Sequence, residues 1–251
     1  MDRPKLIDSV GNELELPKTF NVRSAPVGRR TAVLEAAYSD GAKDYSDGCF
    51  TPRRVEISGN LWAATAEEYN AKWDELAAFL VRENLRIQYL GRVIYTKRVE
   101  QINYTDPVAA DIYFGKVALT FLCTDPFWYK LITQTKIYET GGTSPYQMVF
   151  AVDGNVPIFP RIKITNLANN TSFSFKNSSD GNRQFTFADA AALNGTVVDI
   201  DCAKGTVLLG TASKIESFSG LFLRLLGGQD NTIVYTGANA KIEIFFREAW
   251  L

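Results

Sequence analysis

The 251-residue sequence contains no histidine. Ser-His-Asp and Cys-His nucleophile systems are thereby excluded, as is every metal site that depends on imidazole. Only lysine, tyrosine or carboxylate chemistry stays open to an enzyme. Cysteine is scarce. Cys49, Cys123 and Cys202 are odd in number and far apart, so they give neither a CxxC pair nor a disulfide framework. Three buried, reduced thiols are expected, which suits folding in a reducing cytoplasm. No apolar run approaches the roughly 18 residues of a membrane helix. The opening MDRPKLIDSVGNELELP lacks the apolar centre of a signal peptide, so no membrane partner is expected. An excess of one charge is missing too. The chain carries 27 basic and 28 acidic residues, divided 17 and 18 up to Lys130 and 10 and 10 after it. Neither part has the basic footprint of a nucleic-acid binder.

What is present is apolar and regularly patterned. Hydrophobic residues make up 46% of the chain, enough for full-sized cores. In RRVEISGNLW, Val55, Ile57 and Leu61 alternate with Glu56, Ser58 and Asn60, as in a strand with one wet face. Gly59 interrupts that strand and suggests a bulge. TAEEYNAKWDELAAFL has the capping-box pair Thr65 and Glu68. It then places Tyr69, Trp73, Leu76 and Leu80 on one stripe, predicting the single amphipathic helix of the chain. Further strands are expected around a turn at Leu90-Gly91. In DIYFGKVALTFLC, Val117, Leu119, Phe121 and Cys123 share a face, and the other face is also mostly apolar, which predicts a central strand covered on both sides. From Arg161 onward, short strands follow one another between Gly and Asn turns, and LFLRLL (221–226) reads as one of them. Such spacing suggests a β-sandwich. ETGGTSPYQMVFAVDGNVPIFP (139–160) reads as a linker or irregular domain entry. The expected organisation is mainly β: an N-terminal β-barrel or sandwich domain with one helix over 1–130, then a β-sandwich over 131–251.

Candidate chemistry is thin. Asp199 and Asp201 lie on one side of a strand, but a cation needs six to eight oxygens, so a solvated face is expected. Arg29-Arg30 and Arg53-Arg54 read as surface or inter-subunit ion pairs. No catalytic, cofactor or metal residue is assigned. Tyr38 to Pro52 repeats Tyr-Ser-Asp-Gly, and Tyr38, Asp40, Gly41, Tyr45, Asp47 and Gly48 mark a polar loop that either stays on the surface or orders on assembly. The strand ending at Asp125-Pro126 is followed by Phe127, Trp128 and Tyr129, which are read as a plug at the seam between the domains.

The order of CTDPFWY, GNVPIFPRIKITN, GTVVDIDCAKGTVL, FSGLFLRLLGGQDNTIVYTG and KIEIFFREAWL resembles that of phage distal tail proteins, the siphovirus-type tail components. The resemblance implies a tail-tube-like front domain and a galectin-like back domain. It implies a homo-hexameric ring that joins the tail tube to the tail tip or baseplate around a channel through which genomic DNA passes without specific binding. The implied partners are further copies, the tail tube protein, and tail-associated lysin or receptor-binding proteins. The implied location is the virion tail, after assembly in the host cytoplasm, with no enzyme activity. A carbohydrate-binding adhesion module acting through the back sandwich is the alternative, and a cell-wall enzyme is a third.

Overall fold

The structure, a computed structural model, describes residues 2–30, 33–35, 42–44, 49–105 and 113–251. The chain divides into two compact units, Met1–Trp128 with Leu251, and Tyr129–Trp250.

The first unit holds β1 (Lys5–Ile7), β2 (Glu13–Glu15), β3 (Asn21–Ser24), β4 (Val33–Glu35), β5 (Ala42–Asp44) and β6 (Arg53–Ala63). It continues with α1 (Ala66–Leu80), β7 (Arg86–Tyr89), β8 (Arg92–Tyr95), β9 (Arg98–Tyr104) and β10 (Tyr113–Cys123). One sheet runs β2-β1-β7-β8, a second runs β3-β6-β10-β9, and β4 pairs with β5 as a separate ribbon. The ladder between β6 and β10 pairs eleven residues without a break, from Tyr113 opposite Ala63 to Cys123 opposite Arg53. Strand parity sends Val55, Ile57, Leu61, Val117, Leu119 and Phe121 inward, all buried.

Gly59 makes no bulge. A Cβ there would lie 2.5 Å from the ring of Phe20 and 2.7 Å from its Cα, so the glycine admits a buried aromatic against the strand. The irregularity sits in β9 instead, opposite Thr120 and Phe121. Strand β10 is central, but it is not covered on both sides: Ala118, Thr120 and Leu122 on its outer face are only half-buried.

Helix α1 begins as the capping box requires. Thr65 Oγ1 accepts the Glu68 amide at 3.2 Å, and Glu68 Oε2 accepts the Ala64 amide at 3.1 Å. Tyr69, Leu76, Phe79 and Leu80 are buried against β6 and β10. Trp73 stays half-buried, its ring tilted against that of Tyr104 at 5.1 Å.

Asp8 locks the turn after β1 to the far end of α1. Its Oδ1 accepts the amides of Val10, Gly11 and Asn12, and its Oδ2 accepts Asn12 Nδ2 at 2.7 Å and Arg82 Nη1 at 2.5 Å.

Strand β11 (Trp128–Lys130) lies across the division. The second unit holds β12 (Gln134–Glu139), β13 (Tyr146–Val152), β14 (Arg161–Asn166), β15 (Ser172–Asn177), β16 (Arg183–Ala188) and β17 (Val197–Asp201). It continues with β18 (Thr206–Leu209), β19 (Ala212–Ser213), β20 (Phe218–Gly220), β21 (Gln229–Thr236), β22 (Ala240–Phe246) and β23 (Ala249–Trp250), with one 3-10 turn at Ile215–Ser217. Two antiparallel sheets, β12-β22-β14-β17-β18-β19 and β13-β21-β15-β16-β20, face each other as a sandwich. Phe150 of β13 reaches across to Tyr138 and Phe246 of the other sheet, with ring centroids 6.4 and 5.6 Å away. Phe173, Phe175, Phe185, Phe187 and Tyr235 form the aromatic centre.

Four buried asparagines close the loops around it. Asn231 accepts the Leu226 amide at 2.8 Å and donates to the Leu226 carbonyl at 2.9 Å. Asn177 donates to Asn231 and to the Arg224 carbonyl. Asn170 donates to Asn166 and to the Tyr235 hydroxyl. Burial pushes the Tyr235 hydroxyl up to about 12, against the pull of that Asn170 bond.

Two sequence expectations are corrected here. The segment expected to be a linker contains β13. LFLRLL forms no strand beyond a bridge from Leu225 to Ile158, because side chains take its carbonyls: Arg183 Nε binds Phe222 O at 2.5 Å, and Asn177 binds Arg224 O.

The two-residue connection between β7 and β8 holds Leu90 at φ 50° and Gly91 at φ 72°, the double left-handed turn that favours Asn-Gly. Leu90 is exposed, so Leu90→Asn should stabilise the first unit by about 1 kcal/mol, read from urea unfolding. A loss of stability would show that the leucine makes contacts worth more than its strain. The Asp8 carboxyl is held down to about 2, chiefly by the Asn12 side chain and by the turn amides, against the opposing effect of burial. Its stabilising effect is therefore complete above pH ~4 and is lost as pH falls toward 2. Melting followed from pH 5 to pH 2 should show a decline that is smaller in Asp8→Asn, which begins from a lower midpoint.

Candidate assembly surface

Sheet β3-β6-β10-β9 has one face packed by the core and α1. No described element covers the other. Parity places Arg54, Glu56, Ser58 and Asn60 of β6 on that open face, with Lys116, Ala118 and Thr120 of β10 and Gln101 and Asn103 of β9. Charges there are mixed and partly paired: Arg54 Nε meets Glu100 Oε2 at 2.7 Å, and Arg23 stands opposite Glu56. At one end, Trp62 and Phe114 are direct cross-strand partners, 58% and 46% exposed. Lys72 lies over the Trp62 ring at 5.6 Å and donates to the Trp62 carbonyl at 3.2 Å. Ile102 and Tyr104 on edge strand β9 are also exposed, but on the other side of the sheet, opposite Leu119 and Val117. Exposed aromatic side chains beside an open sheet face have the composition that protein interfaces favour. The alternation of RRVEISGNLW already sends Trp62 outward, but its pairing with Phe114 needs the register.

The residues singled out in sequence fall as follows. Tyr38, Asp40, Gly41, Tyr45, Asp47 and Gly48 lie outside the described residues. Phe127 meets Phe50 edge-on at 5.5 Å, and its amide donates to Asp125 Oδ1. Trp128 is 9% exposed and donates Nε1–H to Ser24 Oγ at 3.0 Å. Tyr129 lies under the Arg247 guanidinium at 5.6 Å.

Asp199 and Asp201 do share a side, but they are paired rather than solvated. Asp199 takes both arms of Arg161 and Asp201 takes Lys204, and among the described residues no metal-holding group of carboxylates or thiols occurs. Cys49 is exposed, contrary to expectation, beside the short bridge between Arg29 and Phe50. Cys123 and Cys202 are buried, and burial pushes each thiol up to about 12. Arg53 is also not at the surface. The parity that buries Val55 turns it inward to 4% exposure, with its Nε unbonded among the described residues, and this desolvation lowers its pKa. Lys130 Nζ lies 2.6 Å from Glu248 Oε2, an ion contact set off the line of a hydrogen bond.

No curated protein sequence matches the chain. Among solved structures it resembles the crystal structure of the SPP1 Dit (gp 19.1) protein, described as a paradigm of hub adsorption apparatus in Gram-positive infecting phages. That likeness covers 99% of both chains at a TM-score of 0.71 and 15% identity. Weaker likenesses, at TM-scores of 0.41 and 0.40 and 11% and 12% identity over 97% of each chain, are to the phage P2 baseplate in its activated conformation with Ca and with Sr. They add nothing to the assignment. The first likeness gives the fold of the whole chain, mainly β with one helix. Residues 153–250 match the family described as siphovirus-type tail component, C-terminal domain. On these findings, residues 153–250 carry the C-terminal domain of siphovirus-type tail components, and the whole chain has the fold of the SPP1 distal tail protein it resembles.

Proposed function

We propose that the chain is a structural ring protein of the phage tail, six copies of which join the tail tube to the tail-tip or baseplate proteins around the DNA channel. One observation carries this reading: a four-stranded sheet with a packed face and, among the described residues, a bare face and two open edges, β3 and β9. Open edges call for cover, and the β9 edge of one copy can continue into the β3 edge of the next. Four strands from each of six copies make a closed wall of 4 × 6 = 24 strands, a size that leaves a wide lumen. The bare face would line that lumen. Its mixed, partly paired charges suit a channel through which DNA slides, since a basic lining would bind phosphates and hold them.

The chain acts in this reading by contact and not by catalysis. It has no histidine, and the buried thiols are too weakly acidic to serve as nucleophiles at neutral pH. Assembly would take place in the host cytoplasm, with tail tube and tip proteins as neighbours and no cofactor.

Light scattering with sedimentation tests the ring. The wild-type chain is expected to reach the mass of six copies as concentration rises, or on addition of the tail tube protein. Ile102→Lys, which sets a charge on the exposed β9 edge, should remain monomeric with an unchanged melt. A wild-type chain that stays monomeric under both conditions, or an Ile102→Lys variant that assembles normally, would refute closure through this edge.

A further inference from the structure

The sandwich protects three of its four sheet edges. Strand β19 has two residues and β20 has three, too short to template a partner, while β12 carries Lys136 and Glu139. Short and charged edges are the usual defences against unwanted pairing. The fourth edge, β13, has none of them. It is the seven-residue run YQMVFAV, with no charge, proline or glycine, paired in unbroken register with β21 and, among the described residues, with no other strand. Val149 at its middle is 52% exposed. At its far end opens a pocket of about 660 Å³ lined by Asp153, Asp230, Gln229 and Trp250 over the backbones of Gly154 and Gly228. The nearest cation, Lys130, is 3.9 Å from Asp153 but 2.6 Å from Glu248, where it is engaged. The pocket is thus an acidic hollow with an indole in its wall, a setting that favours a guanidinium or ammonium group.

We propose that β13 receives an extended segment of another tail protein, uncharged along the strand and bearing a basic side chain that enters the pocket beside Trp250. Backbone pairing would supply affinity and the acidic pocket would fix register. A second copy fits less well. Antiparallel pairing of β13 with itself about Val149 would bring Tyr146 and Pro145 to the pocket, and neither offers a cation. The proposal needs the chain to be a tail component but not to form a ring, so it stands or falls apart from closure through β9.

Hydrogen exchange of the purified full chain and of assembled tails tests it, with carbodiimide labelling of carboxylates alongside. Amides of 146–152 that face away from β21 should exchange quickly in the free chain and at least ~10-fold more slowly in tails. Asp153 and Asp230 should be labelled in the free chain and shielded in tails. Val149→Lys, a change on the solvent side, should leave exchange in β21 unaltered and yield chains that fail to enter complete tails; Asp230→Lys should reduce their entry. Equal exchange of 146–152 in free chain and tails would overturn the proposal. So would protection that grows with concentration in the purified chain alone, which would make a second copy the occupant, or normal tails from Val149→Lys.

Discussion

The eleven-residue ladder between β6 and β10 sets the geometry of the first unit, because its length fixes a single register. A one-residue slip of either strand would turn its inward set outward, Val55 and Ile57 of β6 or Val117 and Phe121 of β10, and bring Glu56 or Lys116 in. Gly59 keeps the ladder regular where Phe20 presses on it, since any side chain there would collide with the ring. Helix α1 covers the inward face, and its capped start places Lys72 over Trp62. The open face and the Trp62–Phe114 pair at its end follow from this one pairing.

The second unit solves a different problem. Its two sheets bury stacked aromatic rings, but the loops between the strands must also enter the interior, and buried backbone groups there need partners. Asparagine side chains supply them. Each carries donors and an acceptor on a short stem, so Asn231 clasps both the amide and the carbonyl of Leu226 while holding Asn177. A buried polar network of this kind fixes one arrangement of loops, because any other leaves unpaired groups.

Features that depend on near neighbours were legible in the sequence. The parity of β6, the Thr65–Glu68 cap, the turn at Leu90-Gly91 and the strand series after Arg161 are local patterns. Features that depend on distant residues were not. Gly59 suggested a bulge because Phe20 lies far back in the chain. LFLRLL looked like a strand because nothing local shows that Arg183 and Asn177 take its carbonyls. Arg53 looked like half of a surface pair, although the alternation that buried Val55 also buried it. Of the assembly surface, the outward direction of Trp62 could be read, but its partner Phe114 and the openness of the sheet required the topology. Strand β13 is not legible because glycines and prolines surround it, and whether a strand is an edge is never written in the strand itself.

The middle positions of the sandwich bear on how the protein is made. Strand β21 lies between β13 and β15, and β22 lies between β12 and β14. Each sheet therefore holds, one place in from its edge, a strand that leaves the ribosome after both strands it joins. Until residue 236 has emerged β13 lacks its partner, and until residue 246 so does β12, whereas the first unit already has all of its long ladders. Such late closure over long sequence separations is slow. It also makes the sandwich sensitive to truncation, because a polypeptide cut short before β22 leaves β12 and β14 without the strand that joins them.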